Sequence, residues 1–168
     1  MSVASQAYEA IGRAVVDMQL FETNFVITAE LFHLVTRPKR RRKTQGLLTE
    51  QMLEEATKSI LRRLSEKGDI APDFEKRIKS LVDDRHLLIH NWVAKNGLHT
   101  DTVAEDDVAY WTRYRTLAIR VQAEARSITK ALADYVLKWG EPEWSRANPQ
   151  EYRRRIKMMF LAVSEPQE

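Results

Sequence analysis

The chain has 168 residues, of which 43% are hydrophobic and 30% are charged, a balance typical of a folded globular domain. This length suits one ordinary domain and is short for two. The absence of cysteine excludes disulfide bonds, thiolate zinc sites and cysteine nucleophiles. No apolar run is long enough to span a membrane, and residues 1–13 do not resemble a secretory signal, so we expect a cytoplasmic protein.

The formal net charge of +3 is unevenly distributed. The stretch RPKRRRK at 37–43 holds six basic residues, so the rest of the chain carries a formal charge of −3. A dense basic patch favours a polyanion partner, because field and counterion release depend on local charge density. The alternative is a solvated loop without a partner, which is common for basic runs. The candidate binding side chains are Arg37, Lys39, Arg40, Arg41, Arg42 and Lys43.

Apolar residues recur at steps of three or four through most of the chain, a period typical of helices. This pattern predicts a first helix from about Ser5 to Val35, which ends before Pro38 and the basic run. A second helix is predicted from a cap at Thr49 to a stop at Gly68. The apolar stripe of the first helix consists of Ile11, Ala14, Val15, Met18, Phe21, Phe25, Ala29 and Phe32.

A third helix is predicted to open near Pro72 and to end before the turn signal at 96–97. The residues that follow have no helical period and predict a loop, in which a short hairpin is an option. A long fourth helix is predicted from about Asp106 to Gly140, with Trp111, Tyr114 and Tyr135 in its apolar stripe. Residues 148–149, Asn-Pro, form a good cap and first-turn pair for a last helix.

The pattern as a whole predicts an all-α fold, an elongated helical bundle of about five helices, two of them long. No stretch alternates with period two, as a strand would. Helices of about 30 residues would be roughly 45 Å long and offer more apolar surface than short partners can cover, so we expect a homodimer. The predicted domain is 1–140 with a basic loop at 37–46, and 141–168 form a linker and a short helix packed on it.

The stretch DDRHLLIHNWVAK at 83–95 contains the most unusual pattern in the chain. Arg85 falls in the apolar phase of the third helix, where an unpaired guanidinium would be costly, so it needs a carboxylate partner or a wet cleft. Glu22 is the matching charged residue in the stripe of the first helix and is the candidate partner. The stripe around Arg85 is formed by Phe74, Ile78, Leu81, Val82, Leu88, Ile89 and Trp92.

His90 follows Arg85 by five residues, which on an ideal helix is about 140° around and about 7.5 Å along. The two side chains would not touch as helix neighbours, but they could border one groove or meet across a two-fold axis. Arginine offers a planar fork for phosphate, and histidine exchanges protons near neutral pH. This pair suits cleavage of a phosphodiester without a metal ion.

Arg85-His86-Leu87-Leu88-Ile89-His90 resembles the R-x(4–6)-H motif of HEPN domains, which usually places Asn, Asp or His directly after the arginine. The setting, a small all-α domain with the motif late in the third helix, is also similar. The resemblance implies a homodimer in which two motifs form a composite, metal-independent ribonuclease site without a cofactor. By position, Arg85 and His90 would be the catalytic pair and His86 the polar supporter. Beyond the motif, Glu22, Asn91 and Asp84 are further candidate supporting residues.

The resemblance further implies RNA as a partner. The basic run at 37–43, which is not obviously part of the family core, is the best candidate for holding the RNA backbone outside the active groove. Many family members are toxins or phage-defence effectors, so a cognate antitoxin or another regulatory protein is a further expected partner. Some HEPN domains have lost activity, which leaves an alternative: an inactive helical dimer that binds nucleic acid or protein.

The histidines and tryptophans allow other interpretations. His86 and His90 are spaced i, i+4 and could seat a metal ion with Asp83, but no further ligand string supports this, and no metal site is expected. Trp92 and Trp111 could stack on bases, although their helical phase favours core packing. His33 and His99 are expected to be a helix-flank and a loop residue without a chemical role.

Overall fold

The computed structural model describes residues 2–36, 57–97 and 107–139. Across these ranges the chain forms four helices and no strand, which confirms the all-α prediction: α1 (Val3–Thr36), α2 (Thr57–Glu66), α3 (72–96) and α4 (Val108–Trp139). None of these helices is long and apolar enough to cross a membrane. The predicted basic loop and the last helix lie outside the described residues. The optional hairpin at the turn signal 96–97 was wrong, because the chain is α-helical over Trp92–Asn96.

Local sequence signals account for where the helices begin and end. At the end of α2, Gly68 takes a left-handed φ of 66°, and the Asp69 amide donates to the Leu64 carbonyl at 2.9 Å, a C-cap that favours glycine. Pro72 opens α3 at a position where its missing N–H costs nothing. At the start of α4, the Tyr110 amide donates to the Asp107 carboxylate at 2.9 Å. The predicted boundaries of α1 and α4 therefore lie within two residues of those observed.

The helices divide into two compact units, and both long helices contribute residues to each. The first unit comprises 1–19 and 71–125, so it contains the start of α1, all of α3 and the first half of α4. The second unit comprises 20–70 and 126–168, with the end of α1, α2 and the end of α4. The stretch that carries Arg85 and His90 lies entirely in the first unit.

In the first unit, polar contacts and aromatic rings join the three helices around an apolar core. The Gln122 amide on α4 donates to the Asp17 carboxylate on α1 at 2.7 Å. The rings of Tyr8 and Trp111 lie 5.1 Å apart between the same two helices. The buried apolar side chains are Ala4, Ala7, Ala10, Ala14, Met18, Ile78, Leu81, Val82, Leu88, Trp92, Tyr110, Trp111, Leu117, Ala118, Val121 and Ala125.

The second unit has an apolar core with a buried ion pair at its edge. Glu30 on α1 is fully buried and accepts a hydrogen bond from Arg63 on α2 at 3.1 Å. His33, one helical turn from Glu30, is also fully buried, so the expectation of a helix-flank residue was wrong. The apolar core consists of Phe21, Phe25, Val26, Ala29, Ile60, Leu61, Leu64, Ile128, Leu132, Ala133 and Val136.

Among the described residues most members of the predicted apolar stripes are buried, but two are exposed and five are half-buried, namely Ile11, Val15, Phe32, Phe74 and Tyr114. Trp92 and Trp111 are buried, which confirms that they pack in the core. Ile89 and Tyr135, both assigned to stripes, are each 39% exposed, so that assignment was wrong for them.

The ion pair in the second unit gives the first prediction. We expect Arg63→Ala to lower the free energy of unfolding by about 3 kcal/mol, because it leaves the fully buried Glu30 carboxylate without its guanidinium. The neighbouring Arg62 is the matched control, since its pair with Glu66 is 3.9 Å long and exposed, and Arg62→Ala should cost less than about 0.5 kcal/mol. Urea denaturation measures both. Equal losses in the two variants would contradict the assignment.

Candidate functional site

The helix that carries the candidate site is interrupted by a π-helical turn. The α-helical segment Pro72–His86 leads into a π-helical turn at Leu87–Asn91, and α-helix resumes over Trp92–Asn96. Asn91 has φ −115° and ψ 0°, away from α-helical values, and marks where the chain returns to the α-helix. Such single π-helical turns are rare and occur frequently at functional sites.

This turn changes the angle between Arg85 and His90. In a regular α-helix they would point about 140° apart, whereas about 4.4 residues per turn over the three steps from Leu87 to His90 reduces the separation to roughly 85°. The regular-helix geometry assumed from the sequence was therefore wrong for this segment. The irregular backbone brings the predicted catalytic pair closer to one face than the sequence spacing suggests.

The chemistry-bearing side chains of this segment lie at the surface of the first unit. His86 and His90 are exposed, and their ring centroids are 5.2 Å apart with the planes inclined at 48°. Arg85 is half-buried, and its Nε atom is enclosed by protein. Leu88 and Trp92 point into the core. The segment thus presents two imidazoles to solvent, directly after a half-buried arginine in the chain.

Tyr114, on α4, makes two contacts with the irregular segment. Its hydroxyl donates a hydrogen bond to the Leu88 carbonyl at 2.9 Å, inside the π-helical turn. Its ring stacks on Trp92, with centroids 4.4 Å apart and an interplanar angle of 2°. Burial raises the pKa of Tyr114 above its ordinary value of 10.0, so the hydroxyl remains a donor at physiological pH. The sequence predicted Tyr114 only as a member of an apolar stripe.

Tyr114 belongs to an aromatic cluster that fills the space between α3 and α4. Trp92 and Tyr110 meet edge to face with centroids 5.7 Å apart, and Tyr110 and Trp111 do the same at 5.1 Å. Burial raises the pKa of Tyr110 as well. Such ring pairs add packing energy beyond their buried area, so the cluster gives the irregular part of α3 a rigid support.

Asp84, predicted as a supporting residue, forms a bidentate ion pair with Arg120 on α4. The Arg120 Nε and one terminal nitrogen donate to the two carboxylate oxygens at 3.0 and 2.8 Å. The fork geometry fixes direction as well as distance. Because Asp84 directly precedes Arg85, this pair ties the other end of the motif to the same helix that holds Leu88.

The remaining predicted site residues are placed as follows. Asn91 is half-buried at the end of the π-helical turn. Glu22 is half-buried on α1 in the second unit, and its pairing with Arg85 stays a prediction. The six basic residues at 37–43 lie outside the described ranges. Among the described residues, no group of three or more His, Asp or Glu side chains is arranged to hold a metal ion.

The buried tyrosines predict how stability depends on pH. Burial raises the pKa of Tyr110, Tyr114 and Tyr135 above 10.0, so the folded state binds these phenolic protons more tightly than the unfolded chain. Their contribution is fully present below pH about 10 and is lost as pH rises through the raised values. Urea denaturation between pH about 9 and about 11 should therefore show Tyr114→Phe losing less stability than the wild type. Identical losses in the two proteins would contradict this.

Comparisons of the chain with protein-family models, with characterised proteins and with solved structures found no match. The resemblance to HEPN domains therefore rests on the motif at 85–90 and its helical setting.

Proposed function

We propose that the chain is a metal-independent endoribonuclease of HEPN type. The observation that carries the proposal is the π-helical turn at Leu87–Asn91, because its larger number of residues per turn would reduce the angle between Arg85 and the exposed His90. A guanidinium and an imidazole are the groups that phosphodiester cleavage needs when no metal ion takes part. Such an activity would suit a toxin with an antitoxin as partner, or a phage-defence effector.

The proposed reaction is an internal transesterification of RNA. His90 accepts the proton of a ribose 2′-hydroxyl as its oxygen bonds to phosphorus, and the bond from phosphorus to the 5′-oxygen breaks. The leaving oxygen takes a proton from a protonated imidazole, and Arg85 stabilises the charge that builds on the phosphoryl oxygens. The products are a 2′,3′-cyclic phosphate and a free 5′-hydroxyl, so neither water nor a redox partner enters the balance.

We further propose that the site is completed in a homodimer. Ile89 and Val93 lie one helical turn apart beside the histidines and are 39% and 42% exposed. Exposed apolar side chains grouped beside polar ones are typical of an interface. A two-fold axis at this surface would bring a second Arg85 and His90 to the same phosphate. The basic run at 37–43 would hold the RNA backbone beside the site.

The activity test is cleavage of mixed RNA in EDTA by the wild type and by variants of the pair. We expect His90→Ala and His90→Gln to lower the cleavage rate at least about 100-fold, because neither replacement transfers a proton. Arg85→Lys should also lose about 100-fold, since an ammonium lacks the planar fork. Arg62→Ala, an exposed arginine of the second unit, is the control and should cleave normally.

Two results would contradict the proposed activity. Full cleavage by both His90 variants would remove the histidine from the mechanism. Absence of cleavage by the wild type, together with RNA binding that weakens steeply with salt, would favour the binding module, with affinity supplied by the basic run.

The proposed dimer predicts a second, separable effect. Val93→Glu places a charge beside the proposed two-fold axis and should raise the dimer dissociation constant at least about tenfold, which corresponds to about 1.4 kcal/mol. Val108→Glu is the matched control, because Val108 is 57% exposed but lies at the start of α4. Sedimentation and cleavage should be measured over the same range of protein concentrations. Equal effects of the two substitutions would contradict this interface.

A further inference from the structure

We propose that Tyr114 is a positioning residue for His90, holding the π-helical register of α3 from the neighbouring helix α4. The catalytic part of this inference rests on the proposed ribonuclease function, whereas the structural part does not. Tyr114 would not touch the RNA. Its effect would pass through the backbone of Leu88 and the ring of Trp92, which stand on either side of His90 in the chain.

The π-helical turn changes the backbone hydrogen bonds of α3. A π-helical turn inserts one residue into the α-helical ladder, so the usual pairing of carbonyls with amides four residues on is interrupted there. A buried carbonyl that loses its usual donor needs another one. The Tyr114 hydroxyl supplies a donor to Leu88 within this turn, at 2.9 Å. A donor from another helix thus lowers the free energy of the irregular register relative to a regular one.

The end of the π-helical turn is also in contact with Tyr114. Trp92 is the first residue of the α-helical segment that follows, and its ring lies flat on the ring of Tyr114. One tyrosine therefore contacts the turn at Leu88 and the helix just after it at Trp92. His90 lies between these two points, so its backbone has little freedom to rotate about the axis of α3.

The start of the Arg85–His90 segment is also joined to α4. Arg120 grips Asp84, the residue before Arg85, through two hydrogen bonds. A second ion pair, Arg77 with Glu124 at 2.8 Å, joins the same two helices. With Tyr114, these contacts fix both ends of the Arg85–His90 segment to one helix. The angle between guanidinium and imidazole would then be set by α4 as well as by the local sequence.

The simpler interpretation is that Tyr114 only fills space in the aromatic cluster. The substitution Tyr114→Phe distinguishes space filling from positioning, because it keeps the ring stacked on Trp92 and removes only the hydroxyl. Tyr135→Phe is the control, since it makes the same change on the same helix in the second unit. If Tyr114 only fills space, its substitution would lower the free energy of unfolding without a selective effect on the π-helical turn or on kcat.

The experiment combines steady-state kinetics on RNA with backbone NMR of the full chain. In Tyr114→Phe we expect kcat to fall about 10- to 100-fold with KM within about twofold, because a small misplacement of a catalytic group costs turnover more than binding. The Cα shifts of 87–92 should change, with Asn91 moving toward its α-helical value. Tyr135→Phe should leave kcat and these shifts unchanged.

The outcomes separate the inference from the proposed function. Unchanged kcat in Tyr114→Phe, or unchanged Cα shifts across 87–92, would overturn the positioning role. If the wild type does not cleave RNA, the ribonuclease proposal fails, and the shifts alone then decide. A change in the Cα shifts confined to 87–92 would support the positioning of the turn by Tyr114. Unchanged shifts would overturn that role.

Discussion

The candidate site depends on one hydrogen bond that crosses between helices, from the Tyr114 hydroxyl to the Leu88 carbonyl. A regular α-helix pairs its own backbone N–H and C=O groups, whereas a π-helical turn interrupts that pairing and needs a hydrogen-bond partner from outside the helix. Here Tyr114 on α4 supplies the donor. Without such a donor the regular register would gain in stability, and His90 would turn away from the face of Arg85.

Around this bond the first unit places chemistry on rigid elements. The ion pair between Asp84 and Arg120 and the stack of Trp92 on Tyr114 fix α3 to α4 at both ends of the motif. Groups that must act together on one phosphate need such support, because small displacements are costly in rate. The exposed imidazoles of His86 and His90 therefore lie on a segment of α3 whose two ends are fixed to α4.

Much of the fold was predictable from the sequence, because apolar period and capping residues are local signals. The extents of α1 and α4 and the stop at Gly68 follow from them. The buried pair of Glu30 and Arg63 was missed, although Glu30 lies four residues after Val26 in the buried phase of α1. Its burial depends on a partner in α2, 33 positions away.

The site was only partly predictable for a related reason. Arg85 and His90 were found from their phase and chemistry, but the π-helical turn between them was not, because a search for period 3.6 assumes the register that fails there. The proposed role of Tyr114 depends on that turn. It has no signal within the residues 83–95 themselves, since the hydrogen-bond donor comes from another helix.

The most direct measurement is an NMR titration of the histidine side chains with 2′-O-methyl RNA, which can bind at the site but lacks the attacking hydroxyl. A shared phosphate site at Arg85 and His90 predicts that the imidazole signals of His86 and His90 move together on binding, and that Arg85→Ala abolishes this movement. RNA binding that leaves both imidazole signals unchanged would contradict it.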